Sequence, residues 1–129
     1  MANRAKAAKA KGRTLQNWVR DKLLALFCDH YPEFSITQED IKSQTMGMVG
    51  EDIIITPHAR KYHPFTYECK NTERLEMWKA IEQAEKNNSF KSYRSIIVFK
   101  KNRKEPHVAM SWDTFESLLH GNIHIDHLM

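Results

Sequence analysis

Cysteine is scarce in this chain: Cys28 and Cys69 are the only two among 129 residues. One pair makes no disulfide framework, and neither cysteine has the close Cys/His spacing of a zinc site, so a reducing compartment fits. Long apolar runs are also missing. None approaches the ~20 residues that a membrane-spanning helix needs, and no secretory pattern precedes the first helical segment. The expectation is a soluble cytoplasmic protein with no membrane partner. Glycine and proline occur four times each, there is no internal repeat, and the length suits one domain with one core.

Acid is missing from one place in particular. Residues 1–13 carry Arg4, Lys6, Lys9, Lys11 and Arg13 and no carboxylate, while the net charge is only +4. Taking those five cations from the 20 basic residues leaves 15 against 16 acidic ones, so the remainder is nearly neutral. This alanine- and lysine-rich segment reads as a flexible arm, disordered or a fraying helix when free. On a polyanion its cations would release counterions and add salt-sensitive affinity. A solvated tail is the alternative.

What is present centres on two short segments, Gly50 to Thr56 and Phe65 to Lys70. Ile53 to Ile55 is a brief apolar run, Phe65 to Tyr67 is aromatic and β-branched, and both read as strands. Pro57 to Pro64 separates them and suits a loop between antiparallel neighbours. A hairpin there would set Asp52 opposite Cys69, close to Glu68 and Lys70. Side chains alternate along a strand, so Glu68 and Lys70 share one face and Cys69 turns into the other. Two carboxylates and an ammonium at a sheet edge can bind a hard cation such as Mg²⁺ and direct water at a phosphodiester. An exposed Glu-x-Lys pair on an edge strand is the ordinary alternative.

The rest of the chain reads as follows. From Thr14, a plausible N-cap, to about Cys28, the residues Leu15, Trp18, Val19, Leu23, Leu26 and Phe27 recur at helical spacing. Phe34 to Thr37 alternates like a short edge strand. Ser43 to Gly50 is a polar approach to Asp52, where Gly47 and Gly50 allow a backbone path close to a phosphate. The segment His58 to His63 is basic; Arg60 and Lys61 could grip phosphates and Tyr62 could pack on a sugar or base. A second helix runs from a cap at Asn71 or Thr72 to about Asn87, with Leu75, Trp78, Ile81 and Ala84 as its buried stripe. Lys79 and Gln83 share one of its faces. Ser95 to Phe99 suits a central strand. It leads into the cationic turn at Lys100, Lys101, Arg103 and Lys104, and His107 to Met110 returns as a strand. Ser111 caps a last helix containing Trp112, Phe115, Leu118 and Leu119, ended by Gly121. His58, His63, His120, His124 and His127 lack a metal-site spacing, and the last two fall in a terminal tail.

The pattern of Asp52, fifteen intervening residues, then Glu68-Cys69-Lys70 resembles the PD-(D/E)xK nuclease superfamily. The longer run through Ile41-Lys42-Ser43, Gly50-Glu51-Asp52, Glu68 to Asn71, Trp78 to Ala84 and Val98-Phe99-Lys100 resembles its small phage-type members, akin to Holliday junction resolvases. Glu51 stands where the name-giving motif has proline. The resemblance implies an α/β fold: a restriction-endonuclease-like mixed sheet flanked by helices, over residues 14–121, between the arm 1–13 and a tail 122–129. It implies a Mg²⁺-dependent DNA endonuclease, with Mn²⁺ as a possible substitute. Asp52, Glu68 and the carbonyl of Cys69 would hold the metal, and Lys70 would orient or activate the water.

The resemblance also points to Gln83 on the second helix, and to Gln16 where relatives usually carry a glutamate. Ser43 matches a loop serine that contacts phosphate. The DNA-binding set is completed by Arg4, Lys6, Lys9, Lys11, Arg13, Arg60, Lys61, Lys100, Lys101 and Arg103. The implied partners are DNA and a second copy of the chain, in bacterial or phage-infected cytoplasm. Four-way or otherwise branched DNA is the implied substrate. A sequence-specific nicking or homing enzyme with the same centre, or a DNA-binding accessory whose chemistry has lapsed, are the other readings.

Overall fold

A computed structural model describes residues 2–61, 63–88 and 92–121. Tyr62, the tail 122–129 and its His124 and His127 therefore lie outside the described residues.

The first element is one continuous helix, α1, from Ala2 to His30. The expected break between a flexible arm and a helix capped by Thr14 is not there. Thr14 lies inside the helix and its hydroxyl donates to the Ala10 carbonyl at 2.8 Å. The arm's alanines and lysines are good helix formers, so the helix propagates backwards from its packed half. That half is anchored by Leu15, Val19, Leu23 and Phe27, all buried and four residues apart. Each contributes about 1.5–3 kcal/mol of burial. Trp18 and Leu26, expected on the same stripe, are exposed instead.

Past α1, Pro32–Phe34 forms a 3₁₀ turn, no strand forms over Phe34 to Thr37 where one was expected, and the first strand is β1, Ile41–Ser43. It pairs antiparallel with β2, Ile53–Ile55, in the register Ile41↔Ile55 to Ser43↔Ile53. This corrects the hairpin reading, because the ladder partner of Ile53–Ile55 is β1 and not the Glu68 strand. Thr56 caps a short helix, α2, Pro57–Arg60, which fills the space expected for a plain loop.

The main sheet is mixed. β3, Phe65–Asn71, runs parallel to β4, Arg94–Lys100, and β4 pairs antiparallel with β5, His107–Ala109. β4 is the central strand, as its apolar sequence leads one to expect. Between β3 and β4 lies α3, Met77–Asn87, which starts later than expected: Asn71 still belongs to β3 and Glu76 stands at the cap position. After β5 comes α4, Trp112–Leu119, capped as expected by Ser111, whose hydroxyl accepts from the Thr114 amide at 3.1 Å.

The two sheet faces have different partners. Phe65, Cys69, Ile96 and Val98 join the α1 residues in the larger core, while Ile97 packs with Ala80 and Ala84 of α3. Strand alternation therefore sends Glu68 and Lys70 toward the α3 side and Cys69 into the α1 core. The chain is thus mixed α/β, with helices against a small mixed sheet.

Candidate active site

Two backbone contacts bring the candidate carboxylates together without a hairpin. The Asp52 amide donates to the Tyr67 carbonyl at 3.0 Å, and the Cys69 amide donates to Asp52 Oδ2 at 2.6 Å. Asp52 thereby meets β3 where Glu68 and Lys70 face α3. Gly47 and Gly50 hold φ of 85° and 115° in the loop leading to Asp52, a backbone that side chains other than glycine rarely accept.

Glu68 is almost fully buried, and its two oxygens are both engaged. Oε1 lies 3.5 Å from Lys70 Nζ, and Oε2 accepts from Asn87 Nδ2 at 3.3 Å. Lys70 Nζ also donates to Gln83 Oε1 at 2.5 Å. Gln16, Asp52 and Glu68 line the same cleft, and Gln16 and Glu68 both act on the Asp52 carboxyl. Gln16 is buried, and its Oε1 has no hydrogen-bond partner among the described residues. These groups share a cleft of about 470 Å³ with Gly12, the loop from Thr45 to Val49, and Lys86.

The electrostatics are those of a carboxylate pair held out of water. Burial pushes Asp52 above the usual carboxylate range, against the opposing pull of the Cys69 amide, the Lys70 ammonium and Gln16. Burial also raises Glu68, and the Asp52 charge adds to the rise, while Asn87 and Lys70 oppose it. The Lys70 ammonium opposes the rise at both acids without outweighing burial.

The donor set suits a hard divalent ion. Asp52 and Glu68 supply carboxylate oxygen, and the same cleft is lined by Cys69 and by Gln16, whose Oε1 has no hydrogen-bond partner among the described residues. Among the described residues no group of three or more His, Cys, Asp or Glu side chains is placed to hold a metal. Two carboxylates are nevertheless the complement that Mg²⁺ commonly takes, with water completing its shell. Asp52, Glu68, Lys70, Gln83, Gln16 and Cys69 are thus assembled in one place. The Cys69 thiol is buried in the core, and burial beside two acids raises its pKa.

The expected DNA contacts divide differently. Arg4, Lys6, Lys9 and Arg13 are exposed along the first half of α1. Lys11 is half-buried, pairs with Glu73 at 3.8 Å, and its carbonyl accepts from Asn71. The cationic turn sits beside that junction, since the Thr72 amide donates to the Lys100 carbonyl and the Asn102 amide to Glu73. Lys101 and Arg103 are exposed on it and Lys100 is half-buried.

Arg60 is a correction. Its side chain is buried, donates to the Phe65 carbonyl, pairs with Glu51 at 3.1 Å and lies over the Tyr93 ring, so it is a structural tie and not a phosphate ligand. Lys61 beside it is exposed. Ser43 is also committed internally, donating to Asn17 Oδ1 at 2.8 Å.

Two cleft residues were missed by sequence reasoning, Lys86 and Asn87. Helical spacing held the signal: Asn87 falls four residues after Gln83 and so on the same face. Comparison of the chain with protein-family models, curated proteins and solved structures gives no match.

Proposed function

We propose that the chain is a Mg²⁺-dependent DNA endonuclease that hydrolyses phosphodiester bonds in branched or four-way junction DNA. The observation carrying this reading is the convergence of Asp52, Glu68 and Lys70 in one cleft, with both acids raised in pKa. A bound Mg²⁺ would supply Lewis-acid polarisation of the phosphate and a lowered pKa for attacking water.

The chain's own residues do the rest. The Cys69 amide fixes the rotamer of Asp52, and Asn87 fixes that of Glu68. Gln83 and Glu68 hold the Lys70 ammonium at the cleft, where it orients the water and stabilises negative charge on the phosphoryl oxygens. Water oxygen bonds to phosphorus as one of its protons passes to bulk water, and the bond from phosphorus to the 3′ oxygen breaks. That oxygen takes a proton, leaving a 3′-hydroxyl and a 5′-phosphate.

The basic half of α1 and the Lys100–Lys104 turn give the backbone of a nucleic acid two cationic approaches to one end of β3. Phosphate contacts of this kind position a duplex without reading its sequence, which favours recognition by shape. The test is metal-dependent cleavage of a labelled four-way junction beside matched linear duplex by wild-type and Glu68→Ala protein. Cleavage of linear duplex would make it a general or site-specific endonuclease, and binding without cleavage an accessory protein.

A further inference from the structure

A row of side chains crosses the main sheet beside the catalytic cleft. Lys70 of β3 pairs with Phe99 of β4, and Phe99 pairs with His107 of β5. Register partners point to the same face of a sheet, and neighbouring strands lie about 4.8 Å apart. Phe99 packs against the cluster of Ala80 and Ala84, which puts the row on the α3 side. The Phe99 and His107 rings have centroids 6.1 Å apart and planes tilted by 35°. They border a pocket of about 370 Å³, with Leu75 on another wall and Lys100, Lys101 and Lys104 around it. It shares no lining residue with the cleft of Asp52 and Glu68.

The walls of this pocket are tied to each other. The Asn102 amide donates to Glu73 Oε2 at 2.7 Å, joining the cationic turn to the segment after β3. Within the turn the Lys104 amide donates to the Lys101 carbonyl at 3.1 Å. His107 Nδ1 donates to the Glu105 carbonyl at 3.0 Å, which orients its exposed ring. Of the two acids lining the pocket, Glu73 is already engaged by Asn102 and Lys11, so Glu105 alone faces the ammonium groups of Lys100, Lys101 and Lys104.

We infer that this pocket takes one unpaired base of the bound DNA, stacked against Phe99 and His107, with its flanking phosphates on the lysines. The chemistry of the lining selects that occupant. An apolar peptide would leave the ammonium groups without anions, and a lone phosphate would leave Phe99 and Leu75 without an apolar partner. A nucleotide satisfies both, because every base has a face that stacks on aromatic rings and every phosphate is an anion. The volume lies near the low end of the ~300–1,000 Å³ of small-ligand sites. Position agrees as well, since Phe99 stands one strand from the lysine assigned to the reacting phosphate. A base inside an intact duplex is stacked and out of reach, so the pocket favours strands opened at a branch. The inference rests on DNA being the substrate, and it names the feature of a branch that is gripped.

The test is fluorescence anisotropy of the full chain, in EDTA, with a labelled four-way junction carrying one unpaired nucleotide at its branch point. The same junction with an abasic site at that nucleotide is the comparison. The wild type should bind the base-bearing junction about tenfold more tightly. His107→Ala removes one stacking ring, and Thr72→Trp fills the pocket from its exposed rim. Each should cut the preference to about twofold or less and leave affinity for the abasic junction unchanged. Equal affinity of the wild type for the two junctions, or a preference that survives in both variants, would overturn the inference. The wild-type comparison alters only the DNA, so it decides even where a variant misfolds. A base preference without Mg²⁺-dependent cleavage upholds the pocket and removes the nuclease reading, and cleavage without a base preference does the reverse.

Discussion

The amide of Cys69 donates to Asp52 Oδ2 across 17 positions of sequence, at 2.6 Å. That bond joins the end of the β1–β2 pair to the middle of β3 and fixes Asp52 beside Glu68. The site is therefore a junction between two small sheets. Its acids sit where burial raises both pKa values, and Lys70, Gln83 and Asn87 compensate from the α3 side.

Lys70 and Gln83 should separate by magnitude. Lys70→Ala removes the cation at the reacting phosphate and should lower kcat by about 10² to 10³-fold, leaving DNA affinity within a few-fold. Gln83→Ala only loosens Lys70 and should cost less, perceptible in kcat before KM. Single-turnover cleavage and filter binding measure both, and a Lys70→Ala enzyme that cuts at the wild-type rate contradicts the assigned role.

Stability should respond to pH in a definite direction. The folded pKa of Asp52, Glu68 and Glu51 is raised, mainly by burial. The metal-free protein thus binds protons better than its unfolded chain, and it gains stability as pH falls from neutral toward the ordinary carboxylate range. The gain is lost as pH rises through the folded values. Asp40 acts oppositely: hydrogen bonds from the Thr37 amide and Thr56 hold its pKa low, so its contribution fades at more acid pH. Glu68→Gln should raise the neutral-pH Tm by about 3–5 °C for a gain of ~1 kcal/mol. Mg²⁺ should raise the wild-type Tm more at neutral than at acid pH. Calorimetry with EDTA and with Mg²⁺ reads all three.

Much of this was legible because local signals agreed with the final packing. The alternation Phe65 to Lys70 correctly divides Cys69 from Glu68 and Lys70, the run Ile96 to Val98 marks the central strand, and Ser111 marks a helix start. Other features depended on contacts remote in sequence. α1 extends to Ala2 with its packed half fixed across the chain, where the Lys11 carbonyl meets Asn71 and Gly12 faces Met46, leaving only 3.0 Å for a Cβ. The β1–β2 pairing likewise has no turn dipeptide to announce it. Arg60 looked like a surface cation by composition; a nearby Glu51 and a carbonyl turn it inward. In α3 and α4 the aromatic periodicity was real, but Trp78 and Trp112 face outward.

Arg60→Ala should therefore damage the fold and spare direct DNA contact. Removing one partner of a buried pair leaves Glu51 uncompensated and should cost roughly 3 kcal/mol, read by urea denaturation. A variant with native stability and weakened DNA binding would return Arg60 to the interface.

Neutralising the projecting cations with Arg4→Gln, Lys6→Gln and Lys9→Gln should leave α1 helical. It should lower the slope of log affinity against log salt by about 2 to 3. Fluorescence anisotropy across a salt series measures this, and an unchanged slope would make the segment a solvated extension only.

The most direct measurement is cleavage of a labelled four-way junction and matched linear duplex by wild-type and Glu68→Ala protein, with Mg²⁺ and with EDTA. Paired nicks on the junction that require Mg²⁺ and vanish in the variant are the predicted result. Binding of either substrate without any cleavage in Mg²⁺ or Mn²⁺, or cleavage that survives both EDTA and Glu68→Ala, would contradict it.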